Sequence, residues 1–478
     1  MDGGPPERAA SMLRRLGHGI NIMTTALPFL TTEDWLGLAQ RVQHVRLCGS
    51  VVEPLINWST CPAATKEFQS DAEAVRLLRR SRFMHELKAA AEAARRAGLK
   101  SVINPMHRLF TLEVRPDTLR WVWSAMLLEF DEATFPPSDH VFELTNEPGN
   151  YHNHTVVGAR FIDMVPALLH RVAASQPSRV VIVGGEMGRR VDDERTAHAG
   201  PTEGNSRDAK RESRQEGGHA IHPSEHARAA ASNVGIEFVN SGPALIRDAL
   251  HVRRLARRYP IIATFHFYKP RNFTSQGNAD VIHPQRRWFG SVADVAELAE
   301  QFDAVQRGLG GQVATYLGEF GVNIDAIPHV ADGVNWLRAV RSLCEARHFG
   351  WAYWTYYQSV KAATTAGTAS ERLAQFDCSP HMGALFDFVP RNHSACPSRM
   401  SGRSASTFLA RPQASRAPPS AAPRRLASGS SSRTEGEPRA VPRLAQRDQS
   451  WCDDRRPLSA QPRGSPGGSP LLRFIPAP

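Results

Sequence analysis

HVFELTNEPGN, residues 140–150, is the stretch from which the rest of the chain can be read. It opens as a short apolar run, Val141, Phe142 and Leu144, of the kind that forms a buried strand. It then breaks at Asn146-Glu147-Pro148-Gly149, where Pro and Gly end any strand. An amide and a carboxylate are thereby set side by side on the rim of a sheet. Alone, this could be an ordinary strand-to-loop turn with solvated polar residues. The neighbouring stretches decide between the two readings.

Working outward, apolar runs that read as strands recur at 16–22, 44–50, 100–107, 140–147, 179–186, 261–268, 314–321 and 350–357. Helical patterns fall between them, at 32–43, 69–97, 117–130, 158–175, 244–258, 292–308 and 332–347. Asp117 is a plausible N-cap, and Gly98 ends the second helix in the C-cap manner. Strands alternating with helices indicate parallel βαβ units. Eight of them predict an α/β fold, a (β/α)₈ TIM barrel over residues 14–392. An open doubly wound sheet is the rival, but no Gly-rich phosphate loop follows the first strand.

Three regions fall outside the alternation. Residues 1–13 read as a loose leader. Residues 188–232 are polar and charged without periodicity, and predict a disordered insertion after the fifth strand. Residues 393–478, rich in Arg, Pro and Ser, predict a disordered tail. From residue 401 onward the chain carries 13 Arg, no Lys and 5 acidic residues, so most of the net charge of +11 belongs to the tail. The basicity invites a nucleic-acid reading, but the tail lacks interleaved aromatics beyond Phe408, Trp451 and Phe474. No nucleic acid is expected as a partner, and truncation after residue 392 should leave the chemistry intact.

No apolar run is long enough for a membrane span, and no secretory signal is visible. The six cysteines show no CxxC and no repeated spacing, which argues against a zinc site, although Cys48 could pair with Cys61. The histidines lie on separate strands without HxH or HExxH spacing, so neither a metal nor a cofactor is expected.

In a (β/α)₈ barrel the chemistry collects at the C-terminal ends of the strands. The polar residues near those ends are Arg46, His107, Asn146, Glu147, Glu186, His266, Tyr268, Glu319 and Trp354. Each has an ordinary structural reading, as an ion-pair partner, a core histidine or a packed aromatic. Glu147 and Glu319 stand out, because carboxylates on the fourth and seventh strands can flank a substrate, as glycoside hydrolysis requires.

With LTNEP at 144–148, TFHFYKPRNFTSQG at 264–277 and YLGEFG at 316–321, the chain resembles glycoside hydrolase family 5, the cellulase-like retaining hydrolases. The resemblance implies Glu147 as acid/base and Glu319 as nucleophile. It implies that Asn146 binds the sugar 2-hydroxyl, that Tyr268 hydrogen-bonds Glu319, and that His266 helps set the protonation of the pair. Arg46 would hold the nucleophile ionised and His107 would contact the sugar. Trp354 would be the platform under that sugar, with Trp351 as its neighbouring alternative. The implied partner is a β-glucan polysaccharide or oligosaccharide, met outside the cell in most of the family, and a monomer is expected. An endo-β-1,4-glucanase leads, with β-mannanase, xyloglucanase and β-1,3-glucanase as rivals whose choice lies in loops such as 53–66 and 108–116. A non-catalytic carbohydrate-binding barrel is the reading from a different class. The polar insertion, the Ala/Thr-rich stretch after Gln358 and the Arg-Pro-Ser tail depart from the family's pattern.

Overall fold

The computed structural model describes residues 3–23, 26, 30–57, 63–106, 112–113, 116–148, 161–185, 242–276, 286–324, 326–356, 373 and 376–387. All of them fall in the unit Met1–Ser404. Eight parallel strands close on themselves: β1 His18–Met23, β2 His44–Cys48, β3 Lys100–Asn104, β4 His140–Glu143, β5 Val181–Gly184, β6 Ile261–Phe267, β7 Thr315–Phe320 and β8 Gly350–Tyr353. Each pairs with its sequence neighbours, and β8 pairs back with β1, His18 opposite Trp351. This is a (β/α)₈ barrel, with the eight strands in the expected order. The insertion at 188–232 and the tail from 393 lie outside the described residues.

Alternation along the strands sorts side chains into two layers. Val45 and Leu47, Phe142 and Leu144, Phe265 and Phe267, and Trp351 and Tyr353 pack outward in the large core shared with the helices. Val102, Val141, Ile182, Ile262, Tyr316 and Ala352 make a second cluster with Ala9, Met12, Leu13 and Leu16. Those last four belong to α1, Pro5–Leu16. Residues 1–13, expected as a loose leader, therefore hold most of a helix. The apolar spacing 9, 12, 13, 16 presents one helical stripe, which packs on the strand residues that line the barrel. At this end His44 donates from Nδ1 to the Leu16 carbonyl at 2.8 Å, and its Nε2 accepts from the Tyr316 hydroxyl at 2.8 Å. A Cβ on Gly19 would lie 2.3 Å from the His44 ring, so the strand beside it needs glycine.

Local chemistry explains where the helices begin. α2, Thr32–Ala39, carries a capping box between Thr31 and Asp34. The helix expected at 69–97 is two, α3 Asp71–Arg79 and α4 Arg82–Arg96. Ser81 divides them by accepting a hydrogen bond from the Met84 amide as a new N-cap. α5 Pro116–Glu129 sends Trp123 under β4, where its Nε1 donates to the Leu144 carbonyl at 3.2 Å. α6 is Phe161–Ser175. The helix expected at 244–258 is likewise divided, into α7 Gly242–Arg247 and α8 Ala249–Ala256. α9 Val292–Gly308 starts at a Ser291/Asp294 capping box, and α10 Val330–Ala346 follows β7.

The loops after β2 and β3 meet in a small sheet. Ile56–Asn57 pairs antiparallel with Ala63–Thr65, which pairs in parallel with Leu112–Glu113. Cys48 is a free, buried thiol, so the pairing with Cys61 allowed by the sequence does not form. Among the described residues no helix is long and apolar enough to cross a membrane.

Candidate active site

Strand ends bring Arg46, Asn146, Glu147, His266, Tyr268 and Glu319 together at one mouth of the barrel. Arg46, third residue of β2, is fully buried and uses all its donors. Nη1 donates to Glu319 Oε1 at 2.7 Å and to Asn21 Oδ1 at 2.8 Å. Nη2 donates to Asn146 Oδ1 at 2.8 Å. The remaining edge grips Glu143 bidentately, Nε to Oε2 at 2.5 Å and Nη2 to Oε1 at 2.8 Å.

Glu319 reaches this site through an irregularity in β7. Tyr316 lines the barrel, while Leu317 and Phe320 both pack outward. The pairing with β6 shifts between Leu317 and Glu319, and that with β8 between Leu317 and Phe320. A bulge of this kind re-aims a side chain. Here it turns Glu319 inward where simple alternation would turn it out. Gly318 makes room, since a Cβ there would come within 2.8 Å of Thr264 Oγ1 and 3.1 Å of His266 Nε2. Asn21 secures the same corner, donating from Nδ2 to the carbonyls of Gly318, Ala352 and Tyr353.

Glu147 sits just beyond β4 with φ at 36°, a left-handed backbone that a residue with a side chain adopts at a cost of roughly 1–3 kcal/mol. Its Oε1 lies 2.7 Å from His266 Nδ1, which is also 3.5 Å from Glu319 Oε2. Tyr268 donates its hydroxyl to the same Glu319 oxygen at 3.0 Å. The nearest donor atoms of Glu147, His266 and Glu319 lie within 4.8 Å of one another. By distance alone these three could hold a cation. Both oxygens of Glu319 already accept hydrogen bonds, from Arg46 and Tyr268, so the arrangement suits proton handling better.

Burial is the largest influence on Glu319, His266 and Tyr268. It pushes the Glu319 pKa above the usual carboxylate range, with Glu147 adding to the rise and with His266 and Arg46 opposing it. Arg46 lowers the Glu319 pKa, as expected of a neighbouring cation, but burial outweighs it. For His266 burial pulls downward, but the Glu319 charge and the Glu147 hydrogen bond prevail and its pKa is raised. Burial, with Glu319 and Glu147, also raises the Tyr268 pKa, which keeps its hydroxyl a donor.

Trp354 is half-buried, and its amide donates to the Phe320 carbonyl at 2.8 Å. Trp351 is buried in the outer layer against Phe320 and Phe386, so of the two tryptophans Trp354 has the register of the barrel lining. His107 and Glu186 lie outside the described residues. Two participants escaped sequence reasoning, Asn21 and Glu143. The available signal was polar residues at inward positions of otherwise apolar strands, HGINIM and HVFE.

Comparisons with known proteins bear on the family and the fold. The profile of Cellulase (glycosyl hydrolase family 5) matches residues 56–359, well over half of the chain. An endoglucanase from the hyperthermophilic Thermotoga maritima is similar in structure, with 18% identity and a TM-score of 0.50, over 80% of this chain and 100% of that one. The Clostridial cellulose synthase subunit Z from Clostridioides difficile has 17% identity and a TM-score of 0.47, over 77% of this chain and 99% of that one. No curated protein matches the chain. At such identity the likeness to the Thermotoga maritima enzyme speaks for the fold alone, and the profile speaks for the family. The chain is a glycoside hydrolase and belongs to glycosyl hydrolase family 5, the cellulase family.

Proposed function

We propose that the protein is a retaining endo-β-1,4-glucanase. The observation that carries this reading is the closeness of Glu147 and Glu319, whose nearest oxygens lie within 4.8 Å with His266 between them. Retaining glycosidases hold their carboxyl groups about 5–5.5 Å apart, and inverting ones about 6.5–9.5 Å to admit a water. In this reading Glu319 attacks C1 while Glu147 gives its proton to the departing glycosidic oxygen. Glu147 then takes a proton from the water that releases the glycosyl-enzyme. Arg46 and Tyr268 orient the Glu319 oxygens, and His266 stabilises the carboxylate that Glu147 becomes. Asn146 holds Arg46 through Oδ1, and its Nδ2 has no hydrogen-bond partner among the described residues. That amide suits the sugar 2-hydroxyl. The apolar face of a pyranose suits the Trp354 ring.

The test is reducing-sugar release from a panel of β-1,4-glucan, mannan, xyloglucan and β-1,3-glucan, beside Glu319→Ala, with the anomer of the first product followed by NMR. Hydrolysis of β-1,4-glucan with β-product, abolished in the variant, is expected. Preference for mannan would move the substrate and keep the mechanism. Inverted product, or an undiminished variant, would overturn the reading.

A further inference from the structure

The proposed chemistry uses Arg46 but leaves unexplained the residue that holds it. Glu143 ends β4, three positions before Asn146, and is 1% exposed. Its two oxygens take the Nε–Nη2 edge of the guanidinium, at 2.5 and 2.8 Å. We infer that Glu143 is a positioning residue, whose bidentate grip on Arg46 sets the orientation of Asn146 and Glu319 and limits the positive charge that Glu319 meets. This inference rests on Glu319 being the nucleophile.

Three observations support it. The first is geometric. A guanidinium offers five N–H donors in a rigid plane, and Glu143 takes two of them. Its grip fixes that plane, and with it the directions in which Nη1 meets Glu319 and Asn21 and in which Nη2 meets Asn146. Turning the plane would break contacts to both Asn146 and Glu319.

The second is electrostatic. One buried cation is shared between two carboxylates, Glu143 and Glu319. Among the carboxylate charges that keep Arg46 protonated against the pull of its burial, Glu143 comes before Glu319. Glu143 therefore offsets part of the positive charge that Arg46 presents to Glu319. The other titratable groups that face Glu319 are His266 and Tyr268 from β6 and its end, and Glu147 beyond β4. Cys48, on β2, contacts Arg46 Nη1 at 3.4 Å and has its pKa raised by burial, so it supplies no charge.

The third concerns stability. A buried ion pair is often no better for the fold than apolar residues of similar size. Fold stability alone is thus a poor reason for a carboxylate in the interior of HVFE.

The experiment compares the pH dependence of kcat/KM for wild type, Glu143→Gln, Glu143→Asp and Glu319→Ala on the best glycan of the panel, with folding followed by circular dichroism. Glu143→Gln keeps the shape and removes the charge. Arg46 then acts on Glu319 alone, and the acid limb should move to lower pH. The kcat should fall about 10- to 100-fold with KM little changed, because the nucleophile is less basic and less firmly placed. Glu143→Asp keeps the charge with shorter reach, so kcat should fall while the acid limb stays at the wild-type position. An acid limb of E143Q that overlays the wild type or moves to higher pH overturns the inference, as does a loss confined to KM. If E143Q does not fold, E143D decides, and a wild-type kcat there overturns it. A wild type inactive on every glycan, or an active Glu319→Ala, overturns the functional reading itself. An active wild type with an inactive Glu319→Ala and unaltered E143Q overturns the positioning role alone.

Discussion

Tyr268 donates its hydroxyl to Glu319 Oε2 at 3.0 Å, on the oxygen opposite the one that Arg46 holds. Each oxygen of the carboxylate thus has its own donor, and the group is held in one rotation. A hydrogen bond to a charged group contributes about 1.5–3 kcal/mol. Tyr268→Phe removes it with little change of shape. The expected result is a loss of about 10- to 100-fold in kcat/KM without loss of folding, measured by steady-state hydrolysis and thermal melting.

With Glu319 as the proposed nucleophile, its raised proton affinity should set the acid limb of activity. The attacking group must be ionised, and burial lifts its pKa above that of an ordinary glutamate. Activity should therefore fall, as pH is lowered, at a higher pH than a solvated carboxylate would give. The His266 charge is the largest single influence that opposes this rise, with the Arg46 charge and hydrogen bond beside it. His266→Asn should move the acid limb of kcat/KM upward, opposite in sign to the shift expected for Glu143→Gln. A limb that stays in place would remove His266 from this role.

His44 makes stability depend on pH through a separate group. Its pKa falls to about 3, because burial disfavours the charged ring. The unfolded chain takes up this proton near 6.5, while the folded chain resists it until about 3. The contribution is fully present above the unfolded value and is lost as pH falls through that window. The loss is about 1.4 kcal/mol for each pH unit within the window. Urea midpoints measured from pH 7 to pH 4 should fall in wild type. His44→Gln should show a shallower dependence, even if its stability at pH 7 is lower.

Helix α1 should behave as core. Leu16 is fully buried and its carbonyl holds His44. Leu16→Ala should cost about 2–5 kcal/mol, the usual range for a truncated core leucine. A loose leader would tolerate the change with no shift in the denaturation midpoint.

The barrel was legible in the chain because its signals are local. Short apolar runs, the Gly98 stop after the helical pattern at 69–97 and the Pro-Gly break after Glu147 each act within a few residues. The candidate site residues are read from where those runs end. The leader was misread for a related reason, since the stripe of Ala9, Met12, Leu13 and Leu16 is short and interrupted by arginines.

By itself the sequence determined the eight βα units and the presence of Asn146, Glu147, His266, Tyr268 and Glu319 at strand ends. Only the tertiary structure decided that Arg46 is shared between Glu143 and Glu319, partners 97 and 273 residues away. It alone decided that a bulge beside Gly318 turns Glu319 inward and that Trp351 faces the helices. The physical reason is closure. Which side chains meet inside a barrel depends on strand register, and one residue of shift moves a side chain to the other face.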